Sequence, residues 1–235
     1  MNVAIFGDSF ANGEIGDLDS LKLSHTGLTQ YLMDEGHFVV NFSRQGNTMN
    51  GILDDYPFHL RQNPDLKFDI ALLFQTENSR STSDWINYIK SGMSVKSVDI
   101  HMSKKYYEEL LKSQNQFEVP IYLIGGTADT LSPEVIKECG LKSACQSLVN
   151  LVLTGEHLIK EPILSFVFPL PAYDILDECE GLIDNKEYFL KIEKMGNDRY
   201  QLMLDNPEYF YPDGVHPNRK AYKILFNHLK ESNII

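Results

Sequence analysis

Short apolar runs of strand length alternate along the chain with stretches whose apolar residues recur at helical spacing. The run at 70–74 is continuously apolar, which is typical of a strand covered on both faces of a sheet. This alternation predicts β-α-β units and a parallel sheet. The predicted strands cover residues 3–6, 37–41, 69–74, 119–124 and 163–168.

Helix signals fall between and after these strands. A helix before the second strand is predicted to end near Gly36. Ser103 is predicted to cap another helix. Ser132, followed by proline, predicts the start of a longer helix that Gly140 is in position to interrupt. The last helix is predicted to begin near Asn218.

The predicted fold class is therefore α/β: a three-layer α/β/α sandwich around a five-stranded parallel sheet of flavodoxin-like order. At 235 residues the chain is interpreted as one domain over 1–235. Stretches at about 79–102 and 173–212 do not fit the alternation. We interpret them as insertions that shape a cleft at the carboxyl ends of the strands, with plain surface elaboration as the equal alternative.

Composition excludes several classes of partner. A formal net charge of −12 argues against binding to nucleic acid or to an anionic membrane, because both require clustered Lys and Arg. No apolar run approaches the roughly 18 residues that span a bilayer, and the amino-terminal segment does not resemble a signal peptide. Cys139, Cys145 and Cys179 lack metal-ligand spacing and are interpreted as reduced thiols. A soluble cytoplasmic protein is expected.

Candidate chemistry lies at the two ends of the chain. The first predicted strand runs directly into Gly-Asp-Ser, which places the Ser9 hydroxyl at the end of the sheet. Near the other end, Asp213 and His216 are three residues apart, just before the last helix. Together they supply a nucleophile, a base and an orienting carboxylate, the groups required for nucleophilic acyl transfer. Gly-Asp-Ser alone is a weak signal, since these residues commonly form turns.

Four short blocks in order strengthen this interpretation. They are Gly-Asp-Ser-Phe at 7–10, Asn-Phe-Ser-Arg-Gln-Gly-Asn-Thr at 41–48, Thr-Glu-Asn-Ser at 76–79, and Asp-Gly-Val-His-Pro at 213–217. With these blocks the chain resembles the SGNH (GDSL-like) hydrolase superfamily. The resemblance implies Ser9 as nucleophile and His216 and Asp213 as the remainder of a catalytic triad. It further implies an oxyanion hole formed by Ser9, Gly46 and Asn78.

The third block departs from the family pattern. Thr76 stands where the family has glycine, and Ser79 stands where it has aspartate. Asn78 is retained, so the side-chain oxyanion donor remains available. A β-branched residue at 76 stiffens the backbone and excludes any requirement for positive φ there. Arg44 lies in the second block and Arg80 directly follows the third, where they either meet an anionic substrate or are simply exposed to solvent.

The expected activity is that of a metal-independent carboxylester hydrolase without a cofactor, acting on a small-molecule or carbohydrate ester. An acyltransferase using the same residues is a close variant. A non-catalytic, flavodoxin-like ligand-binding domain is the alternative from another class, although Gly-Glu-Ile-Gly at 13–16 is not a dinucleotide fingerprint. An ordinary α/β-hydrolase is set aside because the nucleophile follows the first strand. Oligomeric state stays open.

Overall fold

The computed structural model of the protein describes residues 1–17, 22–165, 194, 197–211 and 216–235. Its strands are β1 (Asn2–Phe6), β2 (Glu14–Asp17), β3 (Lys22–His25), β4 (Phe38–Asn41), β5 (Ile70–Gln75), β6 (Ile121–Gly125) and β7 (Lys142–Cys145). Its labelled helices are α1 (Ser9–Asn12), α2 (Leu28–Asp34), α3 (Met49–Gln62), α4 (Thr82–Lys90), α5 (Val95–Phe117), α6 (Pro133–Glu138), α7 (Leu148–Thr154) and α8 (Arg219–Glu231). A 3₁₀ turn covers Asn78–Arg80, and residues 197–204 are also helical.

The main sheet has five parallel strands in the order β4-β1-β5-β6-β7. In chain order these are the second, first, third, fourth and fifth strands of the sheet, which is the flavodoxin-like order. β2 and β3 form a separate antiparallel pair. The central strand β5 is buried along its whole length because it pairs with β1 and β6 and is covered on both faces.

Alternate residues of β1 enter different halves of the core. Ala4 and Phe6 belong to the cluster that packs against α3–α6, whereas Val3 and Ile5 belong to the cluster that packs against α1, α2, α7 and α8. This alternation follows from the two-residue period of a strand. The predicted three-layer α/β/α fold with a five-stranded parallel sheet is confirmed.

Four of the five predicted strands are confirmed within a few residues. The fifth, predicted at 163–168, is wrong: residues 163–165 form no strand, and 166–168 lie outside the described residues. Leu164 is instead buried where its carbonyl accepts a hydrogen bond from the Asn78 N–H at 3.0 Å. The fifth strand is β7, a four-residue strand that pairs with β6 and, among the described strands, with no other, and its Lys-Ser-Ala-Cys sequence carries little apolar signal.

Helix boundaries were predicted with mixed success. The end near Gly36 and the starts at Ser132 and Asn218 are confirmed. The longer helix predicted after Ser132 is instead six residues long, because the chain turns at Gly140 and enters β7. Ser103 is not a helix cap but a fully buried residue inside α5. The helix is capped nine residues earlier by Ser94, whose hydroxyl accepts a hydrogen bond from the backbone at 3.2 Å. Polar side chains at 94–103 concealed the apolar face of this first part of α5, which carries Val98 and Met102 into the core.

Candidate active site

The turn after β1 presents Ser9 as the first residue of α1. Gly7 has φ +154°, and a Cβ there would lie 2.7 Å from that of Ala11 and 2.8 Å from that of Phe74. Glycine is required because no side chain fits this close approach to β5. The Asp8 carboxylate accepts a hydrogen bond at 2.9 Å from the backbone N–H of the second residue of α1, and this bond fixes the start of that helix. Ser9 is therefore held at the carboxyl end of β1, and it is 8% exposed.

A second turn, between β4 and α3, adjoins the first. The Arg44 N–H donates to the Gly7 carbonyl at 3.1 Å and joins the two turns directly. Gly46 lies at the exposed tip with φ +68°. Within the described part of the chain, no hydrogen-bond partner contacts the Ser9 hydroxyl or the N–H groups of Ser9 and Gly46. A hydroxyl and two N–H donors on adjoining turns meet a basic requirement of acyl transfer.

His216 reaches the same end of the sheet from the other end of the chain. A short antiparallel bridge between Phe210 and Pro217 holds its segment in place. The His216 ring lies beside the ring of Phe10, with centroids 6.2 Å apart. Since Phe10 follows Ser9 on α1, the imidazole is adjacent to the helix that carries the predicted nucleophile. Ser9 Oγ forms no hydrogen bond with His216 or with any other described residue.

An ion pair also joins the two ends of the chain. Glu14, two residues after α1, accepts hydrogen bonds from the Arg219 guanidinium at 2.9 and 3.0 Å and from the Arg219 N–H. The Ser24 hydroxyl donates to the same carboxylate at 2.7 Å. Burial alone would raise the pKa of Glu14, but the hydrogen bonds from Arg219 and Ser24 outweigh it and lower that pKa to about 2.

Asn78 is fully buried, and its hydrogen bonds point into the protein. Its amide nitrogen donates to the Asp99 carbonyl at 2.9 Å and to the Ser103 hydroxyl at 3.0 Å, both on α5. An amide nitrogen carries two hydrogens, so both are already donated. In this structure both N–H groups of the side chain are therefore donated within the protein. The role of Asn78 as an oxyanion donor stays a prediction. Asn78 Oδ1 is buried without a hydrogen-bond partner among the described residues.

The Asp99 carboxyl lies beside this amide and is buried as well. It accepts hydrogen bonds from the Trp85 indole N–H at 2.9 Å and from the Ser165 hydroxyl at 2.6 Å. Burial raises the pKa of Asp99 to about 6, even though its hydrogen bonds act in the opposite direction. The third block is thus held against α5 by a buried polar cluster.

A cluster of charged side chains adjoins the Ser9 turn and includes Asp8, the residue before Ser9. Asp8 and Glu77 are buried carboxylates, and the Arg80 guanidinium contacts both. The Thr127 hydroxyl is 3.1 Å from the Asp8 carboxylate and 3.3 Å from the Thr76 hydroxyl. Burial raises the pKa of Asp8, and Arg80 opposes that effect. Thr76, the departure from the family's glycine, therefore joins this cluster through its hydroxyl, which donates to Glu77 at 2.8 Å.

Of the predicted site residues, Ser9, Gly46 and His216 lie on segments that meet at the carboxyl end of β1. Asp213 lies outside the described residues, and so does most of the predicted insertion at 173–212. The residues of this region that sequence reasoning missed are Asp99 and Thr127, which no motif marks because each is far along the chain from the block it contacts.

The two arginines flagged from the sequence are both paired. Arg44 bonds to Asp55 at 2.8 Å, and its side chain is 59% exposed. Arg80 contacts two buried carboxylates, and its side chain is only 25% exposed. The sequence analysis offered an anionic substrate or solvent exposure for Arg80 and did not predict its carboxylate partners, Asp8 and Glu77.

Two further features of the described residues concern membranes and metal ions. None of the helices they form combines the length and apolarity needed to cross a membrane. They also contain no cluster of three or more His, Cys, Asp or Glu side chains suited to a metal ion. Cys139 and Cys145 carry free thiols, and Cys179 lies outside the described residues.

No family model matches the chain, and no curated protein matches its sequence. Solved structures do match. The lipase Lip_vut3 from a goat rumen metagenome is 17% identical, with a TM-score of 0.50 over 99% of this chain and 97% of the lipase. The psychrotrophic esterase EstA from Pseudoalteromonas sp. is 15% identical, with a TM-score of 0.48 over 99% and 96% of the two chains.

A putative lipolytic protein of the G-D-S-L family from Desulfitobacterium hafniense is 11% identical, with a TM-score of 0.47 over 100% of this chain and 99% of that chain. The similarity to the rumen lipase shows that this chain shares its fold.

Proposed function

We propose that this protein is a serine carboxylester hydrolase with Ser9 as nucleophile, His216 as general base and Asp213 as the carboxylate that orients the imidazole. The observation that carries the proposal is the meeting of three distant segments at the carboxyl end of β1. They are the Ser9 turn, the Gly46 turn bonded to it through Arg44, and the His216 segment packed on Phe10. The fold shared with a solved lipase supports the same class of reaction.

The reaction proceeds in two acyl transfers. Ser9 Oγ attacks the ester carbonyl while its proton passes to His216, and the carbonyl oxygen becomes an oxyanion. The N–H groups of Ser9 and Gly46 donate hydrogen bonds to that oxygen. His216 then returns the proton to the leaving alcohol, which departs from the acyl-enzyme. Water then attacks the acyl-enzyme carbonyl while His216 takes one of its protons. The bond to Ser9 Oγ breaks, His216 returns the proton to that oxygen, and the carboxylic acid is released.

The substrate class is a small-molecule or carbohydrate ester, and no metal or cofactor takes part in the proposed steps. The net charge of −12 supports an uncharged ester rather than a polyanion such as nucleic acid. We assign the activity to a single domain over 1–235, with the segments near 79–102 and 173–212 contributing to the cleft. We also propose that the protein acts in the cytoplasm.

Substitution of the nucleophile is the direct test. Ser9→Ala is expected to lower kcat for short-chain nitrophenyl esters by at least about 10³-fold, because no other group takes up the acyl chain. Its melting temperature should stay near that of the wild type, since Ser9 Oγ bonds to no described residue. Ser232→Ala, at the exposed carboxyl end of α8, is the matched control and should retain full activity.

Covalent labelling gives an independent readout. A fluorophosphonate probe should attach to Ser9 in the wild type, and peptide mass spectrometry should locate it there. Labelling at another serine, or full hydrolysis by Ser9→Ala, would remove Ser9 from the mechanism.

A further inference from the structure

Three turns hold the residues that the family resemblance implies for the oxyanion hole, and its donors must keep fixed positions for the hole to work. The turns follow β1, β4 and β5, and they carry Ser9, Gly46 and Asn78, respectively. Asn78 donates both of its amide hydrogens to α5, so it does not bridge the other two turns. The group that does contact all three turns is the guanidinium of Arg80.

The contacts of Arg80 extend in three directions. One guanidinium nitrogen, Nη1, lies 3.5 Å from the Asp8 carboxylate in the turn after β1. The same nitrogen donates to the Asn47 carbonyl at 3.4 Å, in the turn after β4. The other two nitrogens contact Glu77 in the turn after β5, through Nε and, at 3.5 Å, through Nη2. Asp8 and Asn47 each adjoin a residue that supplies a proposed oxyanion N–H.

We propose that Arg80 is a positioning residue of the oxyanion hole, which holds the Gly46 N–H in register with the Ser9 N–H by bridging Asn47 and Asp8. This inference rests on the proposed hydrolase function and adds a role that acts through backbone geometry. A planar guanidinium suits it because its five donors form a rigid fork that reaches several acceptors at once. A lysine would supply the charge but a single point of contact.

Arg80 also balances charge beside the reacting carbonyl. Asp8 and Glu77 are both buried, and without a cation their carboxylates would oppose the negative charge of the oxyanion. Charge balance and positioning are separable, since Glu77→Gln removes one negative charge without touching the contacts of Arg80 to Asp8 and Asn47. This separation defines the experiment.

The experiment compares Arg80→Gln, Arg80→Lys and the double variant Arg80→Gln/Glu77→Gln, assayed on the same nitrophenyl ester. We expect Arg80→Gln to lower kcat by about 10²-fold with KM within threefold of wild type, because small misplacements of donors have effects of that size. Arg80→Lys should lose about tenfold. Arg61→Gln, an exposed arginine on α3, serves as control and should behave as wild type.

The double variant separates positioning from folding. Removal of Arg80 alone leaves two buried carboxylates without their cation and is expected to lower the melting temperature. Neutralising Glu77 as well should restore much of that loss, whereas kcat should remain about 10²-fold low because the link to Asn47 is still missing. Recovery of kcat together with the melting temperature would show that Arg80 only balances charge, and would overturn the proposal.

Other outcomes are equally decisive. Wild-type kcat in folded Arg80→Gln would overturn this inference while leaving the function of Ser9 intact. A rise in KM with unchanged kcat would make Arg80 a substrate-binding residue and would also overturn it. Absence of ester hydrolysis and of Ser9 labelling in the wild type would instead overturn the proposed function, and this inference with it.

Discussion

Glu14 and Arg219 form an ion pair across 205 positions of sequence, and the Glu14 carboxylate also accepts a hydrogen bond from the Arg219 backbone N–H. Glu14 follows the helix that begins with Ser9, and Arg219 begins the helix that follows His216. The pair therefore ties together the two segments on which the proposed nucleophile and base lie. Its loss should affect both stability and the alignment of these segments.

Glu14→Gln is expected to destabilise the protein by about 1–2 kcal/mol at pH 7, a figure reduced for the solvent exposure of Arg219. The pKa of Glu14 is about 2 in the folded protein, well below the ordinary value of 4.5, because Arg219 and Ser24 donate hydrogen bonds to its carboxylate. A lowered carboxyl pKa stabilises the fold fully above the unfolded value. This contribution is lost as the pH falls from about 4.5 through about 2. Urea unfolding of wild type and variant from pH 7 to pH 3 measures it.

The control for this pair is the exposed contact between Lys220 and Glu208, in which both side chains are 61% exposed. Glu208→Gln should change the unfolding free energy by less than about 0.5 kcal/mol, because exposed ion pairs contribute little. A stability difference for Glu14→Gln that stays constant across the pH range would refute the assigned role of its carboxylate.

Much of this fold could be predicted from hydrophobic periodicity alone, and the failures have physical causes. Buried central strands such as β5 show as continuous apolar runs. The edge strand β7 shows no such run, because its first two residues are polar and not buried and only its last two lie in the core. Conversely, the apolar residues at 163 and 164 lie in a loop that bonds to other loops at the end of the sheet. Periodicity alone cannot distinguish such a short buried apolar segment from a strand.

The candidate site was predictable to the extent that its residues sit in short blocks. Ser9, Gly46 and His216 each follow or precede a recognisable element, so topology brings their segments together. The partners of Asn78 were not predictable, because Asp99 and Ser103 lie on a helix whose polar residues concealed where it begins. Contacts across the carboxyl ends of strands depend on tertiary packing and leave no local signature.

Gly7→Ala tests the requirement for glycine at the turn that presents Ser9. An added Cβ would lie within 2.8 Å of two neighbouring Cβ atoms, and backbone or β5 must shift to relieve it. We expect a loss of about 2–4 kcal/mol in unfolding free energy. Gly36→Ala is the matched control, since it also has positive φ (+87°) but no atom within 4 Å of the new Cβ. Its cost should be near 1 kcal/mol. Equal costs for the two variants would attribute the effect to backbone conformation instead of packing.

Asn78→Ala distinguishes the two roles considered for that side chain. The substitution leaves the Asp99 carbonyl and the Ser103 hydroxyl without their buried donor. The expected loss is about 1–3 kcal/mol of unfolding free energy, which corresponds to a melting temperature several degrees lower in a chain of this length. Asn50→Ala, which removes an exposed and long contact on α3, should leave the melting temperature within about 1 °C of wild type.

The kinetics of the same variant distinguish a structural amide from an oxyanion donor. If the amide acts only within the protein, kcat of folded Asn78→Ala should fall by less than about tenfold, because the oxyanion keeps its two backbone donors. A true side-chain oxyanion donor would instead cost about 10²–10³ in kcat with little change in melting temperature. That second result would mean that the amide leaves Asp99 and Ser103 when substrate binds, and that the role implied by the third block is retained. Assays well below the melting temperature of the variant separate the two cases.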